Sequence, residues 1–230
     1  MLEKERHVLI ILPHPDDEAF GISGSIAAYR QMNVPVTYAC LTLGEMGRNL
    51  GDPPVATRET LRDIRKAELL QSCEAMGLTD LRMLGFRDKT VEFEDDEKMV
   101  QLVTDLIDET NPSLVISFYP GYSVHPDHEA TARAVVRAIR RIHEEDRPKL
   151  YAVAFANDTE ENLGEPTIIH DVEGTIEQKL NALRAHISQT IWMMKETDEK
   201  LAANDPEITK WLRYERFYAY DWANDFEASF

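Results

Sequence analysis

The stretch VLIILPHPDDE, residues 8–18, is an apolar run that ends in one histidine and three acidic residues. A continuous apolar run of this length predicts a strand buried on both faces, as in a parallel sheet covered by helices. Ionisable groups directly after such a strand lie at the rim of the sheet, where burial without partners costs on the order of several kcal/mol per group. A metal ion would give these groups a common partner.

A second stretch repeats this pattern, since the apolar run Leu114–Tyr119 is followed by HPDH at residues 125–128. Proline suits the first turn of a helix, because its missing N–H would be unpaired there, and it keeps the preceding histidine extended. Both stretches therefore predict a strand, then a histidine facing a crevice, then a helix. If the two strands are parallel members of one sheet, both histidines lie at its carboxyl edge, where open α/β sheets bind ligands.

Apolar runs and segments of helical periodicity alternate along the first two thirds of the chain. Strands are predicted at Val8–Leu12, Val36–Leu41, Leu81–Phe86, Leu114–Tyr119 and Leu150–Ala156. Helices are predicted at Glu18–Gln31, Thr57–Met76, Lys98–Thr110 and His128–Glu144. The alternation indicates an α/β fold with a mostly parallel sheet of about five or six strands and helices on both faces. No GxGxxG follows the first strand, which removes the main support for a dinucleotide site.

The chain is expected to form a single domain over residues 1–230, with 158–230 as a less regular C-terminal part. In that part, a short strand is predicted at Thr167–Asp171 and a helix at Thr175–Met194. The aromatic-rich stretch Trp211–Trp222 is expected either to cover the core or to form a subunit contact in a homo-oligomer.

Composition excludes several classes of function. A formal net charge of -17 opposes binding to phosphate backbones, so nucleic acid is not an expected partner. No segment is long enough to span a membrane, and the N-terminus lacks the pattern of a signal peptide. Cys40 and Cys73 have no metal-binding spacing and are predicted to be reduced thiols in a cytoplasmic protein. A metal site in this chain would therefore use histidine and aspartate.

The predicted metal ligands are His14, Asp17 and His128. In each motif the residue three places after the first histidine lies about one helical turn away, on the same side. Catalytic zinc sites use three such ligands and keep one position open for water. Zinc is the expected metal, and iron would fit the same ligands. In the alternative without a metal, these side chains cap helices and pair with one another, but the recurrence of the motif favours a metal site.

Two other residues of the motifs have predicted catalytic roles. Asp16 is adjacent to a ligand but points elsewhere, which suits a general base that accepts a proton from water. His125, in its protonated form, would stabilise an oxyanion and protonate a leaving amine, as amide hydrolysis requires. Two roles stay open for Asp127, which either holds one of these imidazoles in its tautomer or caps the helix.

Three motifs resemble those of the LmbE-like or PIG-L family of zinc-dependent N-acetylglucosamine deacetylases. They are HPDDE at residues 14–18, LTLGEMGR at 41–48 and HPDH at 125–128. The similarity covers nearly the whole chain in order. Within the family, the chain looks most like the branch that deacetylates N-acetylglucosaminyl-malate in bacillithiol biosynthesis.

The resemblance implies a Rossmann-like fold and a zinc-dependent N-deacetylase, with zinc on the three ligands named above. It implies that Asp16 is the general base and that His125 is the charged group that stabilises the transition state. It also implies that Arg48 and Asp88 contact the sugar.

Residues around the site have supporting roles in this interpretation. Glu45, Asp127 and His186 are expected to lie behind it, with His186 packed behind the zinc ligands and not bound to the metal. Arg48 follows the second strand at the same sheet edge, and a dicarboxylate such as malate would gain from its charge. In the alternative, Arg48 is a mere partner of Glu45, or it binds sugar hydroxyls and does not sense the charge of the aglycone. We expect Arg58, Arg62 and Arg65 to lie on a solvent-exposed face of a helix.

The predicted function is therefore zinc-dependent hydrolysis of the N-acetyl group of a small N-acetylglucosaminyl conjugate, N-acetylglucosaminyl-malate being the expected one, with release of acetate. One alternative is a metal-dependent amidase or esterase that acts on another small substrate. The other is a non-catalytic sugar-binding relative. Asp16 and His125 count against the non-catalytic alternative, because binding alone needs neither a base nor an acid.

Overall fold

The structure is a computed structural model that describes residues 2–224. Its centre is a sheet of seven strands in the order β3-β2-β1-β4-β5-β7-β6. The strands are β1 Val8–Leu12, β2 Val36–Cys40, β3 Asp80–Met83, β4 Leu114–Phe118, β5 Lys149–Val153, β6 Ile168–Asp171 and β7 Tyr214–Ala219. Strands β1 to β5 run parallel, and β7 is antiparallel to both of its neighbours. The predicted α/β fold is confirmed, with one strand more than expected.

Helices connect the strands and cover the sheet. In the described part of the chain they are α1 Asp17–Gly21, α2 Ser23–Gln31, α3 Leu61–Met76, α4 Asp96–Thr110, α5 Pro126–Arg140, α6 Thr159–Leu163, α7 Ile176–Ala185, α8 Ile187–Ala202 and α9 Pro206–Arg213. None of these helices combines the length and the apolar character needed to cross a lipid bilayer.

Two helices that periodicity predicts as continuous are each divided by one residue. Ile22, with φ −142° and ψ 0°, separates α1 from α2. His186, with φ −84° and ψ 49°, separates α7 from α8, and its side chain bonds the buried carboxylate of Glu18. The helix thus breaks where His186 contacts a residue that is distant in the sequence. Helical periodicity cannot predict such a contact.

The central position of β1 explains why its sequence is apolar throughout. β1 pairs with β2 on one side and with β4 on the other. Val8, Ile10 and Leu12 enter the core covered by α2, α3 and α7, while Leu9 and Ile11 enter the core covered by α4 and α5. Because the chain leaves β1 toward β2 and later returns on the other side as β4, the carboxyl ends of β1 and β4 flank a crevice.

The aromatic stretch near the C-terminus contains a strand of the sheet, so it is part of the core rather than a cover over it, and the subunit contact stays a prediction. In β7, Phe217 enters one core and the adjacent Tyr218 enters the other. Glu215 is also buried, because its carboxylate accepts hydrogen bonds from the backbone of Gly24 and Ser25 at the start of α2. A buried glutamate between aromatic residues hides the strand pattern from a reading based on hydrophobicity alone.

Candidate active site

Both His-Pro-Asp stretches lie at the carboxyl edge of neighbouring parallel strands, as predicted. His14 follows β1, and α1 begins at Asp17. In the second stretch, Pro126 lies in the first turn of α5 and His125 caps that helix, with φ −102° and ψ 136°. The sheet therefore brings two stretches that are distant in sequence to one crevice.

The three predicted ligands converge there. His14 Nδ1 lies 3.1 Å from His128 Nε2. Asp17 Oδ1 lies 3.2 Å from His128 Nε2, and Asp17 Oδ2 lies 3.6 Å from His14 Nδ1. A tetrahedral zinc ion with bonds of about 2.0–2.1 Å sets its ligand atoms roughly 3.3 Å apart. These side chains lie at separations that suit one divalent metal.

The outer nitrogen of each imidazole has a partner that fixes the tautomer. His128 Nδ1 lies 3.0 Å from the Ser123 carbonyl oxygen, so Nδ1 carries the proton and Nε2 carries the lone pair. His14 Nε2 lies 3.2 Å from Asp88 and 3.3 Å from Asp127, so His14 Nδ1 carries the lone pair when the ring is neutral. Two lone pairs and a carboxylate then face one another, and a cation between them removes the repulsion.

Electrostatics favour positive charge at this point. Burial alone would lower the pKa of His14, but hydrogen bonds to Asp127, Asp17 and Asp88 raise it well above its usual value. Burial alone would raise the pKa of Asp17, but His128 and His14 lower it. Asp17 therefore stays a carboxylate, which is the form that binds a metal.

Two further groups of side chains in residues 2–224 have ligand-type atoms within 4.8 Å of one another. One joins His14 and His128 to His125, and the other joins His14 to Asp88 and Asp127. His125 Nδ1 accepts a hydrogen bond from the Asp127 backbone N–H at 3.2 Å, which occupies that nitrogen. Both aspartates face His14 Nε2. These residues surround the predicted set rather than replace it.

Asp88 lies behind His14. Its Oδ1 faces His14 Nε2, its Oδ2 accepts a hydrogen bond from the Met46 backbone N–H at 2.7 Å, and the residue is 3% exposed. Both carboxylate oxygens are engaged within the protein, and Asp88 is placed to orient the imidazole of His14. The sugar contact that the resemblance implies stays a prediction.

Asp127 is fully buried and links the second stretch to the first. Its Oδ2 lies 3.3 Å from His14 Nε2 and accepts a hydrogen bond from Lys89 N–H, while its Oδ1 accepts one from Val91 N–H. Of the two roles left open for Asp127, the structure favours contact with an imidazole. Helix capping is wrong for this residue, because the cap of α5 is His125.

Asp16 has a left-handed backbone, with φ 98°, directly before α1. Such a conformation is uncommon for a residue other than glycine and is typical of functional sites. Two contacts hold it: Arg65 Nη2 donates to Asp16 Oδ2 at 2.8 Å, and the Asp16 N–H donates to Glu18 Oε2 at 3.1 Å. Burial raises the pKa of Asp16 to about 6, although the charge of Arg65 opposes the shift.

Arg65 corrects one prediction, because it is buried rather than part of a solvated helix face. It is 3% exposed, and its guanidinium also donates to the carbonyl oxygens of Gly44 and Pro15. Gly44 has φ +62°, and a Cβ at that position would overlap the guanidinium. Arg58 and Arg62, in contrast, are exposed as expected.

A buried ion pair between Glu18 and His186 lies behind Asp16. No role was predicted for Glu18 from the sequence. His186 Nε2 lies 2.6 Å from Glu18 Oε1, and neither side chain is exposed. Glu18 also accepts hydrogen bonds from Ser72 Oγ and from Tyr38 OH, and that hydroxyl lies within 3.2 Å of the His14 carbonyl oxygen. His186 thus lies behind the site, as expected, but it acts through Glu18.

His125 is partly buried and borders the predicted ligands, with its ring 4.8 Å from that of His14 and 5.2 Å from that of His128. Burial lowers the pKa of His125, and the neighbouring His14 and His128 lower it further. Its hydrogen bond from the Asp127 N–H also requires an unprotonated Nδ1. Both observations oppose the protonated form that the sequence predicted and favour a neutral ring that carries its proton on Nε2.

Arg48 and Glu45 lie in the loop after β2, but they do not pair with each other. Glu45 Oε1 accepts a hydrogen bond from the Asp88 N–H at 3.2 Å, and Glu45 Oε2 is buried without a hydrogen-bond partner in the described residues. Arg48 is exposed and makes no ion pair with any residue that the structure describes. The alternative role of Arg48 as a partner of Glu45 is therefore wrong, and a contact of Arg48 with sugar hydroxyls stays a prediction.

A carboxylate beside a candidate His2Asp metal site, on a largely parallel α/β sheet, is the arrangement expected of a metal-dependent hydrolase. The profile of the PIG-L family, described as GlcNAc-PI de-N-acetylase, matches residues 9–139. This chain belongs to that family.

Relatives and solved structures agree with this assignment. A protein of Bacillus subtilis (strain 168) named probable N-acetyl-alpha-D-glucosaminyl L-malate deacetylase 2 is 51% identical, covering 95% of this chain and 99% of the relative. An Actinosynnema mirum protein named 1D-myo-inositol 2-acetamido-2-deoxy-alpha-D-glucopyranoside deacetylase is 32% identical, covering 80% of this chain and 81% of the relative. The structure of N,N'-diacetylchitobiose deacetylase from Pyrococcus horikoshii is 26% identical with a TM-score of 0.70, covering 94% and 84%.

Proposed function

We propose that this protein is a zinc-dependent N-deacetylase that removes the acetyl group of N-acetylglucosaminyl-malate, a step of bacillithiol biosynthesis. The observation that carries the proposal is the convergence of His14 Nδ1, His128 Nε2 and the Asp17 carboxylate at 3.1–3.6 Å. The names of the relatives support the reaction, and the buried free thiols Cys40 and Cys73 support a cytoplasmic location.

His14, Asp17 and His128 would hold one divalent metal, with zinc as the first choice and iron as the second. When bound, the metal lowers the pKa of a water molecule and polarises an amide carbonyl. Asp88 and Asp127 hold the proton of His14 on Nε2, and the Ser123 carbonyl holds the proton of His128 on Nδ1. The protein thus directs both ligand nitrogens inward before the metal arrives.

Asp16 is the general base in this proposal. Its carboxylate takes a proton from the attacking water as the oxygen bonds to the acetyl carbon, and it later delivers that proton to the amine nitrogen as the C–N bond breaks. A pKa near 6 suits both steps at neutral pH. Arg65 and the Glu18 carboxylate hold the left-handed backbone that aims the group.

His125 stabilises the oxyanion as a neutral hydrogen-bond donor. With its Nδ1 occupied by the Asp127 N–H, its Nε2–H is free to donate to the carbonyl oxygen of the substrate. Such a donor is effective because the negative charge on that oxygen grows as the tetrahedral intermediate forms. Proton delivery to the amine then belongs to Asp16.

Arg48 would recognise the malate part of the substrate. It is an exposed cation without an ion-pair partner in the described residues, and it follows Gly47 in the loop that packs against Arg65. The net charge of the chain is -17, so a dianionic ligand needs a local cation of this kind. One relative is named for a conjugate of myo-inositol, which is neutral, and another for a conjugate of malate, which is anionic. The charge of the aglycone is therefore the property to test.

The decisive experiment is acetate release by the zinc-loaded protein from N-acetylglucosaminyl-malate, from N-acetylglucosamine and from a simple acetyl ester. Fastest turnover of the malate conjugate is expected. Turnover of the ester alone would favour an esterase, and no turnover of any of the three, with zinc bound, would favour a sugar-binding relative.

A further inference from the structure

The turn directly before His125 is strained. Val124 has φ +65°, a conformation that a β-branched residue rarely adopts. The His125 N–H donates to the Ser123 carbonyl oxygen at 2.7 Å, which makes Val124 the central residue of a γ-turn with positive φ. The Val124 side chain is 69% exposed, so its own packing does not stabilise this conformation. Something else must hold the turn.

The strained turn places one carbonyl group between two histidines. The Ser123 oxygen accepts the His125 N–H, and it also lies 3.0 Å from His128 Nδ1. The contact to His128 keeps the proton on Nδ1 and the lone pair on Nε2. If the turn relaxed, this carbonyl would move and His128 would lose the group that fixes its tautomer and ring orientation.

Glu129, in the first turn of α5, fastens this loop to the helix. Its Oε1 accepts hydrogen bonds from Ser123 N–H at 2.8 Å and from Ser123 Oγ at 2.6 Å, and its Oε2 accepts one from Gly121 N–H at 2.5 Å. No lysine, arginine or histidine of residues 2–224 forms an ion pair with Glu129. The carboxylate of Glu129 therefore accepts hydrogen bonds from three donors of the loop, two of which belong to Ser123.

We propose that Glu129 is a positioning residue for the metal centre. It holds the strained turn at Val124, the turn holds the Ser123 carbonyl, and the carbonyl holds His128 ready to bind metal through Nε2. The inference rests on the proposed function in one respect, which is that His128 binds the metal. It assigns to Glu129 no contact with the substrate or with the metal.

The test is zinc affinity, measured by competition with a chromophoric chelator, together with the visible absorption of the cobalt-substituted protein. Glu129→Ala should weaken zinc binding by about tenfold and alter the cobalt spectrum, because partners of metal ligands contribute on that scale. Glu129→Gln keeps an oxygen for Ser123 but loses the acceptor for Gly121, so it should weaken binding by about threefold. Glu97→Ala, which removes a surface ion pair between α4 and Arg141, is the matched control and should bind zinc like wild type.

A second substitution separates this role from a general effect on folding. Glycine adopts positive φ without a steric penalty, so Val124→Gly should let the turn persist without Glu129. In the Glu129→Ala background, it should restore zinc affinity by at least about threefold. A merely structural role of Glu129 would not give this recovery.

Zinc affinity of Glu129→Ala within about twofold of wild type would overturn the proposal, as would a loss that Val124→Gly leaves unchanged. If Glu129→Ala does not fold, Glu129→Gln decides the question, and affinity equal to that of wild type overturns it. A wild-type protein that binds no zinc would instead overturn the metal site itself, so the two failures are distinguishable.

Discussion

At the scale of single residues, Asp16 and Asp17 are neighbours with opposite electrostatic environments. Burial raises the pKa of Asp16 to about 6, and Arg65 only partly opposes it. Burial acts in the same direction on Asp17, but His128 and His14 outweigh it and lower the pKa. The left-handed backbone of Asp16 turns its carboxylate to Arg65, whereas Asp17 faces the imidazoles. One residue can then exchange protons while the next stays ionised.

Substitution should separate these two roles. Asp16→Ala should keep its metal and lose about a hundredfold or more in turnover, because a general base contributes on that scale. Asp17→Ala should lose the metal. Elemental analysis and acetate release on the same preparations measure both effects. Metal loss in Asp16→Ala with retention in Asp17→Ala would show that the two roles are exchanged.

The acidic limb of the pH–rate profile should report Asp16. The base acts when it is deprotonated, so the rate should rise as pH increases through a value near 6. Arg65→Met removes a cation that favours the carboxylate, which should move this limb to higher pH by about one to two units. Arg62→Met, an exposed arginine of the same helix, is the control. An unchanged limb in Arg65→Met would assign it to another group.

His125→Ala should reduce kcat by about a hundredfold with little change in KM, because its hydrogen bond strengthens only as the oxyanion forms. A neutral donor does not titrate on the alkaline side, so the alkaline part of the pH profile should be the same in the variant and in wild type. Steady-state kinetics between pH 5 and 10 test this. If the alkaline limb disappeared in the variant, His125 would act in its protonated form, as the sequence predicted.

At the scale of elements, the break between α7 and α8 connects the C-terminal half of the chain to the active site. His186 bonds Glu18 there, and Glu18 accepts the backbone N–H of Asp16. Burial opposes both charges, but each partner outweighs it, so the pKa of Glu18 is lowered and that of His186 is raised. The ion pair stabilises the fold fully between pH 4.5 and 6.5, the ordinary pKa values of glutamate and histidine. This stabilisation is lost when the pH falls through the lowered pKa of Glu18. It is also lost when the pH increases through the raised pKa of His186.

His186→Leu should lower the free energy of unfolding by about 3 kcal/mol, because it leaves a buried carboxylate without its cation. The deficit should be largest between pH 4.5 and 6.5, where both partners are ionised. Denaturant unfolding at several pH values measures it. His143→Leu, at an exposed histidine, is the control and should change stability little. A deficit independent of pH would show that His186 contributes by packing alone.

At the scale of the whole molecule, the charge of the protein opposes the substrate that we propose. A net charge of -17 repels a dicarboxylate at long range, and salt screens this repulsion beyond about 10 Å at 0.1 M. A local contact must therefore supply the selectivity. Arg48 is suited to it, because a guanidinium binds a carboxylate through two parallel hydrogen bonds.

Arg48→Met should lower kcat/KM for N-acetylglucosaminyl-malate by roughly ten- to a hundredfold, the loss expected for a charge-assisted hydrogen bond. Activity on N-acetylglucosamine should change little. Lys66→Met, an exposed lysine of α3, is the control for the loss of one positive charge. Equal losses of Arg48→Met on both substrates would show that Arg48 contacts the sugar and not malate.

The sequence alone predicts two units, each with a strand, a His-Pro-Asp stretch and a helix. It also predicts the mostly parallel sheet that joins them. These are local features, because apolar runs, helical periodicity and the geometry of proline act over a few residues. The rule that parallel strands share a carboxyl edge then placed His14 and His128 together.

The groups that surround those ligands come from elements that are distant in the sequence and meet only in the folded chain. Arg65 meets Asp16 across 49 residues of chain, and His186 meets Glu18 across 168. The buried Arg65 depends on such a distant contact, and the left-handed Asp16 and the neutral His125 combine local hydrogen bonds with burial and distant neighbours. Burial changes what an ionisable group does, and the partners that compensate for burial come from elements whose packing no local pattern records.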